Sequence, residues 1–215
     1  MIILILGPQG SGKGTQAAKL AKRFGLFYFE SGRFLRKLAK KRPDIDEKIN
    51  KKGELLPDEE IFSLVRDFFE NKGIKDKVIF EGFPRSTGQF NLLKSWLKKK
   101  GVGIDLAILL KISEKESIRR LTARRVNMKT GKIYNLITNP PGSTVKKKDL
   151  VQREDDQEET IRKRLGLYRK TTEPLFDLLK RETILEEIDG ERPIEVIQTD
   201  LVALLEKVSR AKSKN

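Results

Sequence analysis

The start of the chain constrains its fold most, because a short apolar run leads directly into a glycine-rich turn. Residues 2–6 read Ile-Ile-Leu-Ile-Leu, which is typical of a buried strand, and residues 7–16 continue Gly-Pro-Gln-Gly-Ser-Gly-Lys-Gly-Thr-Gln. Glycines let the backbone curl until several N–H groups point at one anion, and a helix beginning near Lys13 adds its partial positive charge there. The Lys13 ammonium then reaches the outer phosphates of a nucleotide, and the Thr15 hydroxyl lies near the accompanying Mg²⁺. The segment therefore predicts binding of a nucleoside triphosphate.

The spacing departs by one residue from the common phosphate-loop pattern. That pattern places Ser or Thr directly after the lysine, whereas Gly14 lies between Lys13 and Thr15 here. The alternative interpretation is a strand-turn-helix joint in which glycine serves only close packing. A Gly-Lys-Gly-Thr set in the turn that follows a five-residue apolar strand favours the phosphate loop.

Composition excludes several kinds of chemistry. The 215 residues suit one domain with insertions, and they include neither cysteine nor histidine. Without cysteine there is no disulfide framework, thiolate zinc site or cysteine nucleophile, and without histidine the usual acid–base side chain near neutral pH is missing. The apolar start is too short for a signal peptide, and no later stretch is long enough to span a bilayer. We expect a soluble, intracellular protein with no membrane partner.

The formal net charge of +15 suits a polyanionic partner such as nucleic acid, an acidic membrane surface or phosphorylated small molecules. The lysines, however, are scattered in short groups, and few aromatic residues lie among them. This distribution argues against specific nucleic-acid binding. Most of the lysines are expected to lie on solvated faces.

Strands and helices are predicted to alternate after the phosphate loop. Four more strands are predicted at residues 26–29, 78–80, 106–112 and 183–188. Among the helices, one is predicted to run to Arg125 and another from Glu154 to about Lys180. Strands separated by helices imply right-handed crossovers, so we predict an α/β fold of the P-loop NTPase type. Its parallel five-stranded sheet is covered by helices on both faces.

Two segments interrupt this alternation and are predicted to be insertions. Residues 30–56 place helices where a single crossover would suffice, and residues 126–153 contain Gly and Pro with scattered apolar residues. Both are predicted to lie at the end of the sheet where ligands bind in open α/β folds. The second, with no clear helix over nearly thirty residues, is predicted to form a lid.

Arginines supply the other signal for phosphate chemistry. They lie near predicted loop ends or insertions, at Arg36, Arg85, Arg120, Arg124, Arg153 and Arg164. The planar guanidinium grips phosphate oxygens with two hydrogen bonds and stays charged at physiological pH. Taken singly, each arginine is more simply interpreted as a surface ion pair, for example Arg120 or Arg124 with Glu116. Together with Lys13, the six would suit two nucleotides bound phosphate to phosphate.

Several blocks of the sequence resemble the adenylate kinase family. They are residues 7–16, Glu81-Gly-Phe-Pro-Arg85, Arg124-Arg125-Val126 and residues 155–165 (Asp-Asp-Gln-Glu-Glu-Thr-Ile-Arg-Lys-Arg-Leu). Gly131-Lys-Ile-Tyr-Asn135 and Asn139-Pro-Pro141 are similar to the long-lid form of that family. The resemblance covers essentially the whole chain in order. It implies reversible, Mg²⁺-dependent phosphoryl transfer from ATP to AMP, giving two ADP.

The resemblance assigns roles to individual residues. It implies catalytic cations at Lys13, Arg85, Arg120, Arg124, Arg153 and Arg164. It implies an ATP site of Gly10, Ser11, Gly12, Lys13, Gly14, Thr15, Arg120, Arg124, Ile133, Tyr134 and Arg192. It implies an AMP site of Ser31, Arg36, Glu54, Leu55, Leu56, Gly82, Phe83, Pro84, Arg85, Gln89, Arg153 and Arg164. Mg²⁺ would be held, largely through water, by Thr15 and Glu81.

The implied domain organisation follows the same resemblance. A core would comprise residues 1–29, 57–125 and 154–215, with an NMP-binding insertion at 30–56 and a lid at 126–153. The lid lacks the four cysteines that bind zinc in some relatives, so no zinc site is expected, and hydrogen bonds from Asn127 and Thr130 would stabilise its turn instead. A cytoplasmic monomer with ATP, AMP and ADP as its ligands is the expectation.

Departures from the family pattern leave alternatives open. Glu81 stands where the family usually has Asp, and Ser31-Gly32-Arg33 stands where it usually has Thr-Gly-Asp. Ser31 leaves a UMP- or CMP-type kinase as an alternative, because one fold serves several acceptors. A catalytically impaired nucleotide-binding module is the alternative from another class, with Glu81 and Arg33 as its signs.

Overall fold

The computed structural model describes residues 1–46, 56–182 and 184–212. Its helices and strands in chain order are β1 (Ile2–Leu6), α1 (Lys13–Phe24), β2 (Phe27–Glu30), α2 (Ser31–Ala39), α3 (Pro43–Asp46), α4 (Asp58–Asn71), β3 (Val78–Glu81), α5 (Thr87–Lys99), β4 (Leu106–Lys111), α6 (Glu114–Thr122), β5 (Arg124–Asn127), β6 (Ile133–Asn135), β7 (Leu150–Val151), α7 (Glu158–Thr171), α8 (Glu173–Arg181), β8 (Leu185–Asp189) and α9 (Ile194–Lys212). Short 3₁₀ turns precede β7 and α7, at Lys147–Asp149 and Glu154–Asp156.

The main sheet has five parallel strands in the order β2-β3-β1-β4-β8. Alternate residues of β1 enter the two layers of the core: Leu4 belongs to the cluster packed by α4, α5 and α8, and Ile5 belongs to the cluster packed by α1 and α9. A strand covered on both faces must be apolar at every position, which explains the unbroken run of residues 2–6. The predicted α/β fold is thereby confirmed.

Aromatic packing fixes the ends of β2 and β3, which carry part of the site. The ring of Phe29 lies 5.1 Å from that of Phe69 and 5.7 Å from that of Phe80, centroid to centroid. Such tilted and edge-to-face contacts stabilise beyond simple burial. The residues that follow these strands, Ser31 and Gly82, are therefore held on a rigid platform.

A small antiparallel sheet, β6-β5-β7, occupies the region predicted to be a lid. The prediction that a helix runs to Arg125 is wrong, because α6 ends at Thr122 and Arg124 begins β5, paired with Asn135 of β6. Arg120 and Arg124 are therefore not on one helical face. This strand pairing joins residues up to eleven positions apart, as for Arg124 and Asn135, which local periodicity does not reveal.

The turn that connects β5 to β6 is stabilised by side-chain hydrogen bonds, as predicted. Asn127 Oδ1 accepts from the backbone N–H groups of Lys129 and Thr130, each at 3.0 Å, and Thr130 Oγ1 accepts from Lys132 N at 3.3 Å. Such Asx-type bonds satisfy backbone donors that a turn leaves without a ladder partner.

The single long helix predicted from Glu154 to Lys180 is also wrong. The helix is interrupted at Thr172, between α7 and α8. The Thr172 hydroxyl donates to Arg85 O at 2.9 Å. Pro174 in the first turn of α8 lacks the N–H that a continuous helix would need. The predicted fifth strand appears as β8, while its first predicted residue, Thr183, lies outside the described residues.

Within the three described ranges, no helix combines the length and apolar character required to cross a bilayer. Nor does that part of the chain hold a cluster of three or more acidic side chains arranged to bind a metal ion.

Candidate active site

The segment between β1 and α1 forms the predicted strand-loop-helix joint. Gly12 caps α1 in the left-handed region (φ 88°), and no side chain caps the start of this helix. The first N–H groups of α1 are thus open to an anion. Gly10 (φ +84°) lies against α6, where an added Cβ would come within 3.1 Å of Ser117 O. The Ser117 hydroxyl also donates to Gln9 O, so α6 supports the loop from behind.

Lys13 folds back over this loop. Its Nζ donates to Gly7 O at 2.8 Å and to Pro8 O at 2.7 Å. Desolvation lowers the pKa of Lys13 to about 8, opposed by Glu81 and assisted by the like charges of Arg85, Arg164 and Arg124. The ammonium therefore lacks full compensation in the free protein, which is a property that a bound phosphate would correct.

Glu81 ends β3 beside this loop. Burial raises the pKa of the Glu81 carboxyl, and Lys13 opposes that rise. Among the described residues its carboxylate makes neither a hydrogen bond nor an ion pair, and Thr15 presents an exposed hydroxyl in the first turn of α1. Oxygen donors of these two kinds are the ligands that Mg²⁺ takes, directly or through water, so the residues fit a magnesium nucleotide.

Five arginines join Lys13 in one electrostatic cluster. They are Arg36, Arg85, Arg124, Arg153 and Arg164. Desolvation lowers the pKa of Arg85, Arg153 and Arg164, and the positive charges of the other members lower each further. Arg85 nonetheless keeps exposed surface. A concentration of cations at the ends of several elements, several of them destabilised by burial, is suited to a polyphosphate.

Several of these arginines bind an acidic side chain or a backbone carbonyl oxygen. Arg124 donates Nε to Asp156 Oδ2 at 2.8 Å and its NH2 group to Asp156 Oδ1 at 2.5 Å, and the Asp156 side chain is fully buried. Arg164 pairs with Asp155 Oδ2 at 2.9 Å. The partner of Arg124 is thus not the Glu116 considered from the sequence. A tethered guanidinium keeps its remaining N–H groups for a ligand.

Arg120 stands apart from that cluster. It pairs with Glu116 at 2.5 Å, as the surface ion-pair interpretation anticipated, and its NH1 group donates to Gly190 O at 2.8 Å. Arg192 follows in the same loop, and its guanidinium binds Asp200 at 2.8 Å. Arg120 and Arg192 are therefore brought together at the loop between β8 and α9.

A second group of predicted residues lies close together after β2 and β3. The Ser31 hydroxyl donates to Gly82 O at 2.6 Å, and Arg85 donates Nε to the same carbonyl at 2.7 Å. Gly82 has φ +70°, and a Cβ there would lie 3.0 Å from Ser31 Oγ. Phe83 and Pro84 are buried, and Leu56 lies in the core beneath. Glu54 and Leu55, also predicted for this site, lie outside the described residues.

The two residues predicted to cover the donor base lie on opposite faces of β6. Ile133 is 41% exposed, whereas Tyr134 is 8% exposed and lies beneath the Lys132 ammonium. Side chains alternate along a strand, so the exposed Ile133 side chain and the buried Tyr134 ring point in opposite directions.

Sequence reasoning missed the acids that organise these cations. Asp156 was visible only as part of a family block, and its buried partnership with Arg124 joins residues 32 positions apart. Glu30 pairs with Arg33 at 2.9 Å and with Arg36 at 3.2 Å. The spacing of Glu30 and Arg33, three residues apart at the start of a helix, was a signal that could have been used.

Taken together, the parallel sheet, the uncapped helix behind a phosphate loop and the facing arginines define a P-loop nucleoside monophosphate kinase. The comparisons with known proteins agree. The family model for adenylate kinase matches residues 5–184. An adenylate kinase of Archaeoglobus fulgidus is 35% identical over 215 residues, covering 97% of this chain and 99% of that protein.

Two further relatives span the chain equally well. An adenylate kinase of Chloroherpeton thalassium is 35% identical over 218 residues, covering 98% of this chain and 100% of its own. One of Pyrococcus horikoshii is 34% identical over 221 residues, covering 100% of both chains. This chain belongs to the adenylate kinase family.

Proposed function

We propose that the chain transfers the γ-phosphoryl group of Mg·ATP to AMP, reversibly, giving two ADP. The observation that carries this proposal is the cluster of Lys13 with five arginines around an uncapped helix N-terminus. One bound nucleotide would need only part of this charge. Two phosphate chains meeting end to end account for all of it.

The donor side is assigned to the phosphate loop. Residues 10–15 hold the ATP phosphates through backbone N–H groups, and Lys13 leaves Gly7 O and Pro8 O to contact the outer phosphates. Arg124 contacts the transferring group with the N–H groups not used by Asp156. Arg120 and the Arg192 backbone border the adenine end, which Ile133 and Tyr134 cover from β6.

The acceptor side is assigned to the residues after β2 and β3. Arg36 and Arg85 hold the AMP phosphate, while Ser31, Leu56, residues 82–84 and Gln89 surround the nucleoside. Glu54 and Leu55 belong to the same proposal through the family resemblance. Arg153 and Arg164 approach from the opposite side and stabilise the charge that spreads over the equatorial oxygens during transfer.

The reaction needs no proton acceptor. An oxygen of the AMP phosphate, already ionised at pH 7, forms the new bond to the γ-phosphorus as the bond to the β,γ-bridging oxygen breaks, and ADP leaves. Catalysis then consists of alignment and charge stabilisation, which a chain without histidine performs fully. Bound Mg²⁺ would neutralise charge on the β- and γ-phosphates, with Thr15 and Glu81 holding its water shell.

Exclusion of water is the proposed task of residues 126–153. Water would otherwise accept the phosphoryl group and hydrolyse ATP unproductively. The division into a core (1–29, 57–125 and 154–215), an NMP-binding insertion (30–56) and this lid belongs to the same proposal. So do the absence of structural zinc, the monomeric state and the cytoplasmic location, which rest on the family resemblance.

A coupled assay of ADP formation tests the proposal. Mg·ATP is supplied with AMP, UMP, CMP or GMP in turn, and we expect rapid turnover with AMP alone. Lys13→Met should lower kcat by on the order of 10²–10³-fold. Its control is Lys19→Met, a half-exposed lysine of the same helix that pairs with Glu195. Turnover with UMP or CMP above that with AMP, or none with any acceptor, would contradict the proposal.

A further inference from the structure

The side-chain amide of Gln89 is hydrogen-bonded to two partners. Its Oε1 accepts from Arg85 N at 2.8 Å, and its Nε2 donates to Asp58 Oδ1 at 2.9 Å. The Gln89 residue is 4% exposed. The two partners come from different elements, because Asp58 begins α4 while Arg85 precedes α5.

These partners determine the orientation of the amide chemically. A backbone N–H only donates and a carboxylate only accepts, so exchanging Oε1 and Nε2 would place donor against donor and acceptor against acceptor. Both bonds would be lost in a buried position, and one of them involves a charged group. The amide of Gln89 is thus locked in one of its two orientations.

Other contacts hold the Asp58 carboxylate in the position from which it accepts the Gln89 hydrogen bond. Its Oδ2 accepts from the Ser86 hydroxyl at 2.7 Å, and the same Ser86 oxygen accepts from Gln89 N at 3.1 Å. A Cβ added to Gly88 would lie 2.3 Å from Asp58 Oδ2, so only glycine at position 88 allows this approach. One loop turn and the first turn of α4 form a closed set of hydrogen bonds around the carboxylate.

The locked amide has one Oε1 lone pair and one Nε2 N–H left for a ligand. We infer that Asp58 is a specificity-positioning residue, which fixes Gln89 to read an amino-bearing base edge and to reject a keto edge. The inference rests on the proposed function, in which Gln89 faces the acceptor base. Adenine offers an amino N6–H donor beside the N1 acceptor, which matches Oε1 and Nε2. A keto base reverses that order and would require the flipped amide.

The test uses AMP and its 6-keto analogue, inosine monophosphate, as alternative acceptors. The two have the same ring shape but present opposite hydrogen-bonding edges, so size plays no part. We expect the intact enzyme to prefer AMP by at least about a hundredfold in kcat/KM, as a site built around buried hydrogen bonds does. A preference smaller than about tenfold would overturn the inference without any variant.

Asp58→Asn then releases the lock. An asparagine carboxamide accepts from Nε2 or donates to Oε1, so the flip loses only the Arg85 N bond, and the AMP preference should fall by about tenfold or more. The control is Glu59→Gln, an exposed carboxylate of the same helical turn whose replacement alters the helix charge equally. An unchanged preference in Asp58→Asn would show that Asp58 has only a structural role.

The failure of the proposed function has a different signature. An intact enzyme that forms no ADP with either acceptor contradicts the proposed reaction itself, and the specificity inference fails with it. Turnover with AMP, combined with equal preference in the intact enzyme and Asp58→Asn, contradicts the inference alone. Thermal unfolding of both variants verifies that each is folded, and a preference below about tenfold in the intact enzyme overturns the inference even if Asp58→Asn does not fold.

Discussion

Replacing Asp156 by asparagine tests how the small sheet β6-β5-β7 is tied to the rest of the molecule. Arg124 is the first residue of β5, and Asp156 is the last residue of the 3₁₀ turn that precedes α7. Their ion pair therefore joins the segment that enters the small sheet to the segment that leaves it. Asp156 is fully buried, and 17% of the Arg124 side chain is exposed. The Asn side chain keeps the volume but removes the charge.

The magnitude follows from the two bonds. A charge-assisted hydrogen bond contributes about 1.5–3 kcal/mol, and breaking a buried pair by removing one partner costs about 3–5 kcal/mol. Asparagine retains one acceptor and turns an N–H₂ group toward the guanidinium, so we expect a loss of about 3 kcal/mol. For a chain of this size the melting temperature should fall by about 6–12 °C.

Urea denaturation followed by circular dichroism measures the free energy of unfolding, and a thermal scan measures the melting temperature. Glu154→Gln is the matched control, because it makes the same chemical change at an exposed position of the same 3₁₀ turn. Adding Arg124→Gln to Asp156→Asn should restore part of the loss, since it removes a largely buried cation that has lost its carboxylate partner. The reasoning fails if Asp156→Asn lies within about 1 kcal/mol of Glu154→Gln, or if the double variant is less stable than the single one.

Three further predictions concern the phosphate loop. Because desolvation lowers the pKa of Lys13 to about 8, the free enzyme loses that charge as pH rises, and kcat/KM for ATP should halve near pH 8 and then fall; a flat profile from pH 7 to 10 would refute this. Gly10→Ala should raise KM for ATP about tenfold or more, because its φ is +84° and Ser117 O is close, whereas Gly142→Ala, with no atom within 4 Å, should not. Glu81→Asp, which restores the family's usual residue, should lower the Mg²⁺ concentration for half-maximal rate by about tenfold, and an unchanged Mg²⁺ titration would count against a magnesium role for this carboxylate.

Local patterns predicted those parts of the fold that are determined locally. The unbroken apolar run of residues 2–6 and the glycines that follow it identified β1 and the phosphate loop before any tertiary contact was known. The two other central strands, β3 and β4, were likewise readable, because a parallel strand covered on both faces is apolar along nearly its whole length. The strand ends in the structure differ from the predicted ends by one or two residues, since the partners in the hydrogen-bond ladder decide where pairing stops.

The errors fall where distant contacts override local preference. Arg124 continued a helical pattern, yet it pairs with Asn135 across a turn and with the carboxylate of Asp156. Thr172 fits a helix in sequence, but its hydroxyl binds Arg85 O from 87 residues away. Neither partner can be inferred from spacing, because nothing within a helical turn encodes it.

The site shows the same division between residue types and their partners. Arginines could be named from the sequence because their chemistry is unmistakable, but the acids that orient them could not. Asp58 illustrates this, since its position predicts only the start of a helix, whereas its carboxylate contacts Ser86 and Gln89 some thirty residues later.

The electrostatics of the free site explain why so many ionisable groups are tolerated there. Burial lowers the pKa of Lys13 and raises the pKa of Glu81 even though each opposes the shift of the other, so their attraction does not compensate for desolvation. Burial also lowers the pKa of Arg153 and of Arg164, and the positive charges of Arg124 and Arg36 lower both further. A fold that maintains such charge without a ligand stabilises it through rigid supports such as the Asp156 pair. The unfavourable free energy of burying these cations is relieved when a polyanion binds. The relief is greatest when the bound negative charge is greatest, during phosphoryl transfer, so the site stabilises the transition state more than the bound substrates.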